Sequence, residues 1–169
     1  MCSLVSQPRT THATVSFRKG RHFFMIISFV GHRYYKSNEN EEKAVMVFLE
    51  NTVGDEPCDF YLGGFGVYDR FATRCCLKYK ATHPNVKLIQ VVAHPFKVFN
   101  AYGCDEKVYL PLKDIPPYLI FRYRNAWMVD KADYVILRAT FYCGWALEAF
   151  NAAKSKNKKI FNIAKNKIE

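Results

Sequence analysis

Apolar residues fall along the chain in two alternating rhythms, short unbroken runs and longer stretches where they recur every three or four positions. The first run, Ile26 to Val30 within "MIISFVGHR", predicts a strand buried on both faces. "SNENEEKAVMVFLEN" follows. Ser37 or Asn38 supplies an N-cap there, and Ala44, Val45, Phe48 and Leu49 share one helical face. "CDFYLGG" predicts a second strand, and "VYDRFATRCCLKYKATH" a helix with Phe71, Cys75 and Tyr79 one turn apart. "NVKLIQVVAHP" is a strand ended by Pro95, and residues 96–120 read as irregular because Gly103, Pro111, Pro116 and Pro117 interrupt them. "FRYRNAWMVDKA" predicts a helix begun by Arg124 and Asn125, with Trp127, Met128 and Val129 against the sheet. "DYVILRA", "GWALEAFNAAKSK" and "KKIFNI" complete the order as strand, helix and last strand.

Alternation of this kind predicts an α/β fold: a single Rossmann-like domain over residues 25–169, its mostly parallel sheet covered by helices on both faces. Ligands of such sheets bind at the carboxyl ends of the strands. That rule singles out the loops at residues 31–37, 63–67, 93–97 and 139–144. Residues 1–24 are Ser/Thr-rich, basic and free of acids, as transit peptides are, but they lack an amphipathic repeat. They are expected to be a flexible leader, or to lie upstream of a start at Met25.

Charge narrows the partners. The net charge is +10, but residues 1–24 contribute +4, and six lysines from Lys154 onward against Glu169 contribute +5, leaving +1 for the body. A nucleic-acid reader concentrates basic charge on a folded face, so the lysine end reads as a solvated tail and nucleic acid is disfavoured as a partner. The six cysteines form no CxxC pair and have no histidine at zinc spacing, so no metal is implied, and reduced thiols in a cytoplasmic protein are expected. No apolar run is long enough to span a membrane. Self-association is left open.

Four strand-end clusters carry the candidate chemistry. In "GHR", Gly31 permits a sharp exit while His32 and Arg33 project over the sheet edge, where an arginine suits phosphate or carboxylate. In "GGFGVYD", Gly63, Gly64 and Gly66 let backbone approach an anion at a helix N-terminus. The spacing is not GxGxxG, and Asp69 suits either the helix dipole or a ribose hydroxyl. "RYRNAWMVD" offers Arg124 and Asn125, and "FYCGWALEAF" offers a strand-to-helix turn at Gly144 with Glu148 one turn inside.

In this order the clusters resemble the SLOG superfamily, whose members include YpsA-like proteins, DprA-type DNA-processing proteins and Lonely Guy phosphoribohydrolases. The resemblance is nearest to the YpsA-like branch, through "VGHR", "GGFGVYD", "RNAWMVDKAD" and "YCGWALEAF" over most of residues 25–163. It implies a Rossmann-like fold and binding of a nucleotide or nucleotide-derived ligand, such as a nucleoside phosphate or an ADP-ribose-like molecule. By similarity to the Lonely Guy enzymes, Arg124 and Glu148 match residues that support N-glycosidic cleavage of nucleoside monophosphates. That makes an N-ribosyl hydrolase the alternative activity, with DprA-like single-strand binding a second one. The chain departs from the Lonely Guy pattern where "FYC" replaces PGG and Trp145 replaces a threonine, and that indole can stack on a base or ribose.

Overall fold

The computed structural model describes residues 24–36, 38–93, 103–139, 144–165 and 167–168. The expected leader, residues 94–97 of the third loop and residues 140–143 of the fourth lie outside the described residues. Nine elements appear where the periodicity places them: β1 (Met25–Gly31), α1 (Glu39–Thr52), β2 (Cys58–Leu62), α2 (Val67–Lys80), β3 (Val86–Val92), then α3 (Ile120–Lys131), β5 (Tyr134–Arg138), α4 (Trp145–Ser155) and β6 (Lys159–Asn162).

With β4 (Glu106–Tyr109) and β7 (Lys167–Ile168), the strands among the described residues form one seven-stranded sheet in the order β4-β3-β2-β1-β5-β6-β7. All pairs are parallel except β6 with β7, which is antiparallel. The α1 and α2 side buries Val45, Phe48, Leu49, Phe71, Cys75 and Tyr79 against Ile27, Phe29 and Phe60. On the other side Met128, Val129, Ala149 and Phe150 pack on Val30, Val135 and Leu137. Both layers exclude water from the central strands, which explains their predominantly apolar runs, interrupted by Ser28 in β1 and by Lys87 and Gln90 in β3.

Three expectations are corrected. β4 (Glu106–Tyr109) lies inside the stretch read as irregular and pairs with β3. It is an edge strand with only Val108 partly buried, so it carries no apolar rhythm. Helix α3 starts at Ile120, four residues before Arg124, so Arg124 and Asn125 lie in its second turn and are buried. The lysine-rich end is not a solvated tail, for it forms the end of α4, β6 and β7. Lys156 there pairs with Asp130, and Lys158 Nζ donates to the Asp130 carbonyl at 2.9 Å.

Two local devices fix the frame around the carboxyl edge. Asn38 caps α1, its Oδ1 accepting from Glu41 N at 2.8 Å, while the Glu41 carboxylate accepts from Asn38 N at 3.3 Å. Tyr68, at the start of α2, lays its ring where a Gly31 Cβ would stand and donates its hydroxyl to the Ile136 carbonyl at 3.0 Å. The glycine of "GHR" is therefore required by packing, because α2 reaches across β1 to β5.

Gly31→Ala is expected to lose roughly 1–3 kcal/mol of stability through overpacking against Tyr68, read as a lowered urea midpoint. Tyr68→Phe, which keeps the ring and loses one buried hydrogen bond, is expected to cost only about 1 kcal/mol.

Candidate functional site

The strand order reverses between β1 and β5, so the crevice at their carboxyl ends is the topological switch point. In the register Gly31 stands opposite Arg138 there. The sequence candidates converge on this edge but separate into a buried group and an open group.

The buried group is centred on Arg124. Its Nη1 donates to the Gly63 carbonyl at 2.8 Å, and Nε and Nη2 donate to Asn125 Oδ1 at 3.2 and 2.9 Å. Nη2 also lies 3.5 Å from Asp69 Oδ2, and Asp69 in turn accepts from Phe65 N at 2.7 Å. Arg124 and Asp69 are only 5% and 4% exposed, so the pair is an internal clamp joining α3, α2 and the β2–α2 turn. Burial pushes the Asp69 carboxyl above its ordinary range, opposed by Arg124 and the Phe65 N–H. The glycines follow from this clamp. A Cβ on Gly63 would come within 2.5 Å of the Arg124 guanidinium, and one on Gly64 would meet the Gln90 amide.

Helix α2 therefore begins with protein groups already at its N-terminus. Gly66 is the N-cap, Val67 N donates to the Arg33 carbonyl at 3.0 Å, and the Asp69 carboxylate supplies negative charge in the first turn. Helix α4 begins differently. Its N-cap Gly144, like Gly66, has no side-chain cap among the described residues, but no carbonyl among them plays the part that Arg33 plays for α2; the ladder starts with Leu147 N and Glu148 N donating to Gly144 O at 3.0 and 3.1 Å. The N–H groups of Trp145 and Ala146 fall outside that ladder. Gly66 and Gly144 both hold positive φ, 109° and 97°, which a side chain resists.

The open group lies along this second helix start. A Cβ on Gly144 would stand 3.7 Å from His32 Nδ1, so the first and fourth sequence clusters meet. His32 Nε2 is buried without a hydrogen-bond partner among the described residues. Burial, and then the positive charge of Arg138, hold the imidazole below its ordinary pKa, which keeps it neutral near pH 7. Beside it runs a row of flat groups. The Arg33 guanidinium lies 4.9 Å from the Phe65 ring, Phe65 stacks on Phe121 at 4.5 Å, and Phe121 lies 5.8 Å from the half-exposed Trp145. Glu148 is exposed and pairs with Arg122 Nε at 2.8 Å, not with Arg124.

Sequence reasoning missed Arg138, Glu41, Gln90 and Tyr68. Arg138 Nε donates to Glu41 Oε1 at 2.9 Å, and Glu41 Oε2 accepts from the Tyr35 hydroxyl at 2.5 Å. The available signal was Arg138 itself, a charge ending the apolar run of β5 at the edge where ligands bind.

These features define a Rossmann-like α/β protein whose candidate residues gather at the switch point. DNA processing protein A (DprA) from Streptococcus pneumoniae is similar at TM-score 0.58 and 18% identity, over 82% of this chain and 50% of that one. DprA from Helicobacter pylori, described for its single-stranded DNA binding mode, is similar at 0.54 and 14%, over 82% and 64%. The molybdenum cofactor binding protein from the phototrophic bacterium Rippkaea orientalis is similar at 0.53 and 16%, over 81% and 74%. The chain thus spans half the length of the first of these and about two-thirds of the second. The architecture is the Rossmann-like α/β fold that the alternation of strands and helices predicts, shared with these structures. No family model matches the chain, and no curated protein matches its sequence. No helix among the described residues is long and apolar enough to cross a membrane.

Removing one member of the buried pair strands the other charge. Arg124→Met and Asp69→Leu are each expected to cost about 3–5 kcal/mol, with the double variant costing far less than their sum in a denaturation cycle. A pH prediction follows from His32. Its folded pKa lies below the ordinary 6.5, so the unfolded chain takes up the proton first as pH falls. The stability contributed by the neutral imidazole is complete above 6.5 and declines from there down to the folded pKa. A His32→Asn variant is expected to flatten that part of the stability profile.

Proposed function

We propose that this protein binds a nucleotide or nucleotide-derived ligand at the carboxyl edge of its sheet, with the anionic end at the start of α4 and the base or ribose along the Phe121–Trp145 row. The observation that carries the reading is the contrast between the two helix starts. At α2 the first N–H is taken by the Arg33 carbonyl and the Arg124–Asp69 clamp backs the turn, while at α4 the first N–H has no such partner among the described residues and Gly144 lies beside the His32 ring. A helix N-terminus offers donors and partial positive charge to an oxyanion. The half-exposed indole, beside the Phe121 ring, supplies a stacking face.

On this reading the "GGFG" turn does not touch the phosphate. It shapes the site through the clamp. Arg33, Gly66 and Asn125 act as supports, while His32, Gly144 and Trp145 meet the ligand. The hydrolase alternative would run through Glu148, because the N–H groups of Arg124 are taken by Gly63, Asn125 and Asp69.

A second reading, single-stranded nucleic acid, is favoured by one observation. Exposed Tyr34 and Trp145 flank a row of interleaved arginine and aromatic rings, the pattern of a stacking platform. The similarity to two DprA proteins supports it at the level of fold.

Calorimetry with AMP and ADP-ribose is expected to show binding that His32→Ala and Trp145→Ala each weaken roughly tenfold. Absence of heat with either ligand removes the nucleotide reading. Tight binding of a thymidine oligomer that weakens steeply with salt selects the second. Adenine release from AMP that is lost in Glu148→Gln adds catalysis to the first.

A further inference from the structure

We infer that Arg138, and not the motif arginine Arg124, recognises the ligand's anionic group, and that this group is a phosphate gripped by two guanidinium nitrogens. The inference rests on the nucleotide reading above and names the residue that sets its specificity.

Two arginines end near the switch point, and their donors are spent differently. Arg124 is fully buried, with Nε, Nη1 and Nη2 all bonded to protein acceptors. Arg138 is committed through Nε alone, to Glu41 Oε1 at 2.9 Å. Neither of its terminal amino groups has an acceptor among the described residues, and its side chain keeps 29% of its surface exposed. Those two groups are the prongs of the fork that matches two oxygens of a phosphate.

The side chain is also held in place before any ligand arrives. The guanidinium carbon lies 5.1 Å from the Tyr35 ring centre, and Tyr35 donates to the same Glu41 carboxylate that holds Nε. Glu41 is anchored in turn by the capping box of α1. Such a mount lowers the ordering cost of binding, since the long side chain is already confined.

Position completes the argument. Arg138 is the last residue of β5, opposite Gly31 at the reversal of strand order. Its charge reaches His32, whose buried Nε2 lacks a partner among the described residues. Gly31, directly before His32, stands opposite Arg138 in the register, so the guanidinium and the imidazole sit on adjacent strand ends. The nearby carboxylate of Glu41 is already engaged by Arg138 and Tyr35, which leaves the crevice with donors to offer and favours an oxyanion.

The test compares adenosine, AMP and inorganic phosphate by titration calorimetry on the whole chain and on three variants whose melting is checked in parallel. The wild-type protein is expected to prefer AMP to adenosine by at least tenfold, with inorganic phosphate weaker than AMP. Arg138→Gln is expected to erase most of that preference while leaving adenosine affinity within about twofold. Arg138→Lys, which keeps a charge for Glu41 but loses the fork, is expected to fall between the two. Glu41→Gln, which retains the arginine and a capping side chain, is expected to keep most of the preference. A wild-type preference that persists in Arg138→Gln overturns the inference and leaves the nucleotide reading standing. Equal wild-type affinity for adenosine and AMP does the same. Binding of neither removes the nucleotide reading and the inference with it.

Discussion

The buried contact between Arg124 and Asp69 is the constraint on which the carboxyl edge depends. Two charges inside a protein are costly to desolvate, and they persist only where geometry and extra hydrogen bonds offset the loss of water. Here Asp69 accepts from Phe65 N–H, and Arg124 donates to Gly63 and Asn125. The β2–α2 turn and the first turn of α2 that follows it are thereby fixed to the second turn of α3, far along the chain. The paired glycines are the mould of that contact. Gly63 lies under the guanidinium and Gly64 under the Gln90 amide, so neither position has room for a side chain.

With those charges held inside, the edge divides into a rigid floor and an open rim. The floor is the clamp, together with the Tyr68 ring that crosses β1 to reach β5. The rim is the α4 start, His32, the flat row from Arg33 to Trp145, and the Arg138–Glu41–Tyr35 triad. Residue types that look equivalent in a sequence have opposite roles here. One arginine stabilises the turn from within, while the other presents unused donors at the surface. One glycine-started helix has its first N–H taken by the Arg33 carbonyl, and the other shows no such partner among the described residues.

The elements legible from the sequence are those whose burial imposes a rhythm. β1, β3 and β5 are covered on both sides, and their apolar runs state it. Helices α1 and α2 bury one stripe each, and Phe71, Cys75 and Tyr79 mark the second. Legibility failed where burial and apolarity part company. In α3, Arg124 and Asn125 share the inward side with Met128 and Val129, which blurs the stripe and hides the start of the helix at Ile120. β4 has the converse problem, a mostly exposed strand whose pairing with β3 leaves no apolar rhythm in its sequence. The site was legible as a set of loops but not as a set of partners, because Arg124 meets an aspartate 55 positions away and Arg138 a glutamate 97 positions away. Nothing local announces either pairing.

The two outer strands bear on how copies of this chain can meet. β4 carries Glu106 and Lys107 on a short exposed segment, and Glu106 is tied to Lys87 of the neighbouring strand. At the opposite margin the two residues of β7 run against β6. Long flat apolar margins are what recruit foreign strands into fibrils or swapped dimers, and charge or brevity blunts them. Lateral growth of the sheet is thus discouraged at the β4 margin, where a short charged strand offers little flat apolar backbone to a second copy.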